Sequence, residues 1–286
     1  YIMIPEIFRF TSKFRNSEQK CIFLKHGIIK DSMLFKNMYY KHIVHDLFVT
    51  STKRERDFVE ELFGYPSGYV KELGLCRFDK LHNTQDKKEK IVLVMPTWRG
   101  WLRFGVAIAD EKKHFKNSEY FKTYASLLTN GALKDLLKAY GYKLVFYPHF
   151  ESQRHIDLFF ESESDNIVIA TKEEYDVQDL LIRSSVLITD FSSVFFDFAY
   201  MDKPMIFYQF DEEQFRQGAY KEGYFSYRND GFGKVLKEEN EIIEELENIL
   251  KNNCVMDEVF EKRRTEFFDL IDDKNCERNF NAIKSL

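Results

Sequence analysis

Four short apolar runs constrain this chain more than anything else in it: Ile91–Met95 (IVLVM), 144–147 (LVFY), Val186–Thr189 (VLIT) and Met205–Tyr208 (MIFY). They are too short for buried helices and do not alternate apolar with polar residues, so they read as strands covered on both faces. Helical patterns separate them. Residues 118–140 form a long one ended by Gly141, and 177–183 and 193–201 form shorter ones. Pro96 and Pro148 close the first two runs. Upstream, runs at 21–24, 45–50 and 69–73 repeat the theme around a helical 53–63 with Ser51 as its expected cap. A further strand is expected at 167–170, and two or three amphipathic helices from 237 onward. Strand–helix alternation of this kind predicts the α/β class, with parallel sheets sandwiched by helices.

The charged segment 83–90 precedes the strongest strand, and the domain boundary is placed there. This yields a first unit, 1–85, and a second, 86–286, that carries the C-terminal helices. The first is short for a doubly wound sheet, so an incomplete Rossmann-type domain is expected. The chain starts at Tyr1 rather than Met, which suggests a piece of something longer.

Composition excludes several classes. A net charge of −5 gives no global field for nucleic acid. The basic runs at 53–56, 87–90 and 112–116 read first as solvated faces, and second as contacts for anionic lipid or a phosphate polymer. No apolar stretch approaches the ~20 residues that span a bilayer. The four cysteines are widely spaced, with no CxxC and no metal-ligand pattern, so a reducing cytoplasmic setting is expected.

In open parallel sheets, ligands sit at the carboxyl ends of strands. Each strand end therefore bears reading. After 186–189 come Asp190, Phe191, Ser192 and Ser193; Ser192 either caps the following helix or helps its amides seat a phosphate, and local physics leaves both readings open. After 21–24 comes Lys25-His26-Gly27, and after 144–147 comes Pro148-His149; each places an imidazole, able to take a proton near neutrality, at a strand end. The two would share a cleft if the sheets oppose their carboxyl ends. Arg99, in Pro96-Thr97-Trp98-Arg99-Gly100, could clamp a phosphate, stack on Trp98 or pair with an acid. Asp211 follows the last strand closely, where it could meet a ribose or an acceptor hydroxyl. Asp197, within an aromatic helix, reads as structural.

These stretches together resemble the CDP-glycerol glycerophosphotransferase family, which includes teichoic acid polymerases and capsule enzymes. The most specific part is QDLLIRSSVLITDFSSVFFDFAYMDKPMIFYQFD at 178–211, supported by VLVMPTWRG (92–100), LGLCRFD (73–79), YPHF (147–150) and LKHGIIKD (24–31). The resemblance implies a GT-B-like architecture of two Rossmann-type domains facing a cleft. It implies transfer of glycerol phosphate from CDP-glycerol, or ribitol phosphate from CDP-ribitol, to a hydroxyl of a lipid-linked or polymeric acceptor, with release of CMP. By position, His26 is the implied base and His149 its partner at the donor phosphates. Thr189, Asp190, Ser192 and Ser193 are implied to hold the pyrophosphate, with Arg99 and Asp211 as lesser contributors. No metal site is implied beyond Mg²⁺ carried on the donor. Peripheral contact with the inner face of the membrane follows only from the lipid-linked acceptors.

Two departures stand out. Lys25-His26-Gly27-Ile28 occupies the place where the polymerases often have Trp-His-Gly-Thr, which leaves acceptor and alditol open. Cys76 stands where the family usually has Pro. The rival readings are a GT-B glycosyltransferase using a sugar nucleotide and a non-catalytic nucleotide- or polymer-binding module. Products separate the first rival; binding without turnover marks the second.

Overall fold

The computed structural model describes residues 19–33, 39–42, 44–102, 111–218 and 220–286. In chain order the strands among them are β1 (Ile22–Phe23), β2 (Ser32–Met33), β3 (Leu47–Thr50), β4 (Val70–Glu72), β5 (Ile91–Met95), β6 (Lys143–Phe146), β7 (Ile167–Ile169), β8 (Val186–Thr189), β9 (Met205–Tyr208), β10 (Tyr220–Lys221) and β11 (Gly233–Leu236). The chain divides into two compact units. One takes the residues up to His82 together with 220–226 and 264–286; the other takes 83–219 and 227–263.

In the first unit β1, β3 and β4 form a parallel three-stranded sheet with β3 central. All four β3 residues are buried. Helix Lys53–Phe63 follows, capped by Thr52, whose hydroxyl accepts from the Glu55 amide at 3.1 Å. The cap is thus one residue after the expected Ser51. Gly64 ends the helix at φ 70°, a left-handed value that glycine adopts without strain. Its apolar face packs Val59 and Phe63 with Phe23, Phe48 and Val70.

The second unit starts at Asn83, and, unlike an unbroken 86–286 unit, it gives up 220–226 and 264–286 to the first unit. Helix Asn275–Lys284 sets Ala282 and Ile283 against Ile22, Leu47 and Val49. Its first amides, those of Asn275 and Cys276, donate to the Asp79 carboxylate at 2.7 and 2.8 Å. A carboxylate on the unpaired amides of a helix start is favourable both as hydrogen bond and against the helix dipole. This link spans 196 residues of sequence, and no local pattern announces it.

The second unit is a six-stranded parallel sheet, ordered β11-β9-β8-β5-β6-β7. Counted within the unit this is 3-2-1-4-5-6 read from β7, the Rossmann order. Every residue of β5, β8 and β9 is buried, as strands covered on both faces must be. The expected long helix at 118–140 is two helices, Glu119–Thr129 and Gly131–Tyr140. Asn130 breaks it with ψ 125°, and its side chain accepts from the Leu133 amide at 3.1 Å to start the second. Asn at such a junction offers the backbone an alternative partner, which is why it favours caps over helix interiors. β11 and the 3₁₀ segment Phe150–Ser162 lie outside the sequence expectations.

Candidate active site

The sheet order of the second unit reverses between β5 and β8, so the crevice outside their carboxyl ends is the expected ligand position. The loops after β5, β6, β8 and β9 are those that carry Thr97–Arg99, His149, Asp190–Ser193 and Asp211. Their adjacency is a consequence of strand order.

Asp190 organises this edge. One carboxylate oxygen accepts from the Thr97 amide at 2.8 Å and the Phe191 amide at 2.5 Å. The other accepts from the Tyr124 hydroxyl at 3.3 Å and lies 2.8 Å from Arg99 Nη1. Its backbone carbonyl accepts from Gln209 Nε2 at 2.9 Å. The Thr189 hydroxyl donates to the Met95 carbonyl at 2.6 Å, a second tie between the two switch-point strands.

Arg99 is wedged among the rings of Tyr120, Phe191, Phe210 and Phe215. Its Nε and Nη2 fork onto Asp211 at 2.6 and 2.8 Å, and Nη1 donates to the Thr97 carbonyl at 2.6 Å. Burial alone would lower its pKa, but the Asp190 and Asp211 charges outweigh that and raise it, so it stays a cation. Thr189, Asp190, Arg99 and Asp211 are 1, 0, 1 and 7% exposed. Their side chains are engaged with the protein, and the fork of Arg99 is given to Asp211. Ser192, Ser193, Thr97, Trp98 and His149 are half-buried and stand at the rim.

Ser193 occupies the cap position of helix Val194–Tyr200 without a side-chain bond. The hydroxyl that reaches toward the helix start is that of Ser192, which accepts from the Val194 amide at 3.4 Å. Asp197 is buried within this helix. The Thr97 hydroxyl is buried and has no partner among the described residues.

His149 starts the segment Phe150–Ser162. Its Nδ1 accepts from the Glu151 amide at 3.2 Å, which assigns the ring proton to Nε2. Trp98 stacks on the ring at 6.2 Å between centroids. Partial burial lowers the His149 pKa, against the opposing pull of Glu151 and Asp190.

His26 belongs to the first unit. It follows β1 on an exposed turn, and the Arg77 guanidinium donates to its carbonyl at 2.7 Å. Partial desolvation, then the charges of Arg77 and Lys25, lower its pKa, so the ring is a free base at neutrality. Lys25 pairs with Glu55 in the interior.

Sequence reasoning missed Thr97, Tyr124 and Gln209. Gln209 carried a readable signal, being a polar residue directly after a fully apolar strand. Tyr124 carried none, because it sits on a helix face that pattern assigns to the core. Among the described residues no three His, Cys, Asp or Glu side chains gather as a metal site. No helix among them is long and apolar enough to cross a membrane.

Strand order and switch-point loops define a protein of the Rossmann-type α/β class. A family model described as CDP-glycerol:poly(glycerophosphate) glycerophosphotransferase matches residues 1–285, and the chain belongs to that family. It is 36% identical over 274 residues to the minor teichoic acid biosynthesis protein GgaB of Bacillus subtilis strain 168, covering 93% of this chain and 29% of that protein. It is 28% identical over 236 residues to a teichoic acid poly(glycerol phosphate) polymerase of Bacillus spizizenii W23, covering 78% of this chain and 51% of that one. The chain thus spans about a third to a half of these relatives. Among solved structures, the wall teichoic acid polymerase TagF superposes with a TM-score of 0.67 at 18% identity, over 95% of this chain and 70% of that one. That likeness concerns the fold.

Proposed function

We propose that the chain transfers an alditol phosphate, glycerol phosphate in the first instance, from a CDP-activated donor to a hydroxyl of a teichoic acid or capsular polymer acceptor. What supports the reading is the switch-point edge of the second unit, where Thr97–Arg99, His149, Asp190–Ser193 and Asp211 fall on adjacent loops of a chain that matches the family model. The donor pyrophosphate is held at the rim by Ser192, Ser193 and the loop 97–98, with Nε2–H of His149 donating to a phosphate oxygen. Arg99, Asp190 and Asp211 serve from behind as the ionic frame that fixes these loops, and Thr189 ties the two strands beneath them. A Mg²⁺ accompanying the donor would offset the charge of its pyrophosphate.

In the reaction the acceptor hydroxyl forms a bond to the β-phosphorus. The bond from that phosphorus to the bridging oxygen breaks, and CMP leaves with the electron pair. The hydroxyl proton goes to His26. Phosphoryl transfer asks chiefly for positioning and charge stabilisation, which rim amides and a fixed imidazole supply. The work is expected at the cytoplasmic face of the membrane, where a lipid-linked acceptor is presented.

Relatives described as poly(glycerol phosphate) and poly(ribitol-phosphate) polymerases both match this chain. The test is therefore incubation with CDP-glycerol and with CDP-ribitol, each with lipid-linked and polymeric acceptors, following CMP. Acceptor-dependent CMP release with a new phosphodiester supports the reading. Binding of both donors without turnover, or a glycosidic product from a sugar nucleotide, overturns it.

A further inference from the structure

The turn that carries His26 is held by groups to which no role has been assigned above. Glu55, in the first turn of helix Lys53–Phe63, is fully buried, and its carboxylate takes three donors. These are Lys25 Nζ, the Ile29 amide at 2.5 Å and the Ser51 amide at 2.8 Å. Two of them flank His26 in the chain, one residue before it and three after. Lys25 runs inward, with its side chain 2% exposed, and its backbone has φ 28°. A non-glycine residue adopts such a value only where its surroundings hold it there, and such positions cluster at working sites. On the other side, Arg77 holds the His26 carbonyl. The backbone of the turn is pinned from both sides while the imidazole stays exposed.

A carboxylate that merely completes a helix start needs an amide and water. Glu55 instead draws an ammonium out of water and holds it one residue from an imidazole, an arrangement whose desolvation is costly. We propose that Lys25 and Glu55 are the positioning pair of His26: Glu55 anchors the turn on both sides of the imidazole, and Lys25 is the charge it keeps there. The proposal rests on the reading of His26 as the base. The charged groups that face the ring among the described residues are Lys25, from its own turn, and Arg77, from the loop after β4. Both are positive and oppose its protonation. Burial lowers the Lys25 pKa and Arg77 adds to that, while the charge and hydrogen bond of Glu55, from the helix, pull it back up. A base kept free of its proton and fixed in direction is what attack by a hydroxyl requires.

The experiment uses the full chain with ¹³C-labelled histidine, and follows the His26 ring by NMR through a pH titration alongside kcat and KM for CDP-glycerol. Lys25→Gln, which can still donate to Glu55, should raise the His26 midpoint by roughly half a pH unit. Lys25→Arg should return it to the native value. Glu55→Gln should lower kcat about tenfold or more while KM changes less than about twofold, because the turn loses its anchor and not its ligand contacts. His149, in the other unit, reports through its own resonance that each variant is folded. An unmoved His26 midpoint in Lys25→Gln, or native turnover in Glu55→Gln, overturns the pair. If Glu55→Gln does not fold, the Lys25 variants decide alone. His26→Ala tests the base itself: full turnover there removes the reading of His26 as base, while the NMR titration still reports on the pair.

Discussion

Arg99 and Asp211 close a bidentate ion pair, Nε to Oδ2 at 2.6 Å and Nη2 to Oδ1 at 2.8 Å, across 112 residues of chain. Asp190 completes it as a triad in which the cation is almost fully out of water. Such a group is poor evidence for stability in itself, since desolvation offsets much of the attraction. Its value here is geometric. It ties the loops after β5, β8 and β9 to one guanidinium, and so fixes the edge from which the rim residues project.

Removing the cation should be severe. Arg99→Met leaves Asp190 and Asp211 buried without their counter-charge and should cost about 3–5 kcal/mol. Chemical denaturation followed by circular dichroism measures it. A loss below about 1 kcal/mol would mean that the carboxylates find other partners.

His26→Ala should cut turnover by roughly 10²–10⁴-fold, the usual worth of a general base, with little change in melting temperature because the ring is exposed. The pH profile follows from the sign of the shifts. Partial desolvation lowers both His26 and His149 from their ordinary value, and for His26 the charges of Arg77 and Lys25 add to it. The free base therefore persists through neutrality, and kcat/KM should be flat there and decline only below about pH 6.5. Folding stability carries the same sign: the unfolded chain takes these protons first, so stability is lost as pH falls through the same window. A rate profile whose acid limb lies above neutrality would contradict the assignment.

Lys203 is fully buried, and its amine donates to the Leu181 and Ile182 carbonyls at 2.9 and 2.5 Å, at the end of helix Val177–Arg183. Burial, aided by the charge of Lys88, holds its pKa down at about 7. A neutral amine still offers two N–H groups to the two carbonyls. Between about pH 7 and 9.5 the unfolded chain binds the proton that the folded chain gives up, so stability should rise with pH by up to about 1.4 kcal/mol per pH unit. Denaturation across that range tests it. Lys203→Met should flatten the slope, and an unchanged slope would place the titration elsewhere.

Gly74 sits at φ 79°, and a Cβ there would lie 1.6 Å from Asn275 Oδ1. Gly74→Ala combines left-handed backbone strain with a collision against the start of the C-terminal helix, and should cost about 2 kcal/mol or more. Hydrogen exchange should show helix Asn275–Lys284 losing protection before the six-stranded sheet does. Uniform loss across both units would argue against so local an effect.

Much of the second unit was legible in the chain itself. β5, β8 and β9 are short runs apolar on both faces, closed by proline or polar turns and separated by helical patterns, so run length and alternation together gave their place in a covered parallel sheet. His26, His149 and the 190–193 turn stood out as candidates because polar residues follow β1, β6 and β8 where the chain leaves each strand. Ser192 carried two local readings, cap and phosphate seat, and its bond to the Val194 amide is compatible with both. Arg99 shows the limit. A guanidinium after a strand suits a phosphate, a ring or an acid equally, and only the strand order that sets β5 beside β8, and β8 beside β9, brings Asp190 and Asp211 to it. Likewise nothing local gives Lys25 or Asp79 a partner: helix Lys53–Phe63 delivers Glu55 to the one, and the chain returns 196 residues later to the other. Periodicity and burial are local demands that each segment carries within itself. The partner of a buried charge is a long-range matter, because hydrogen bonds and ion pairs are decided by which loops the sheet order makes neighbours.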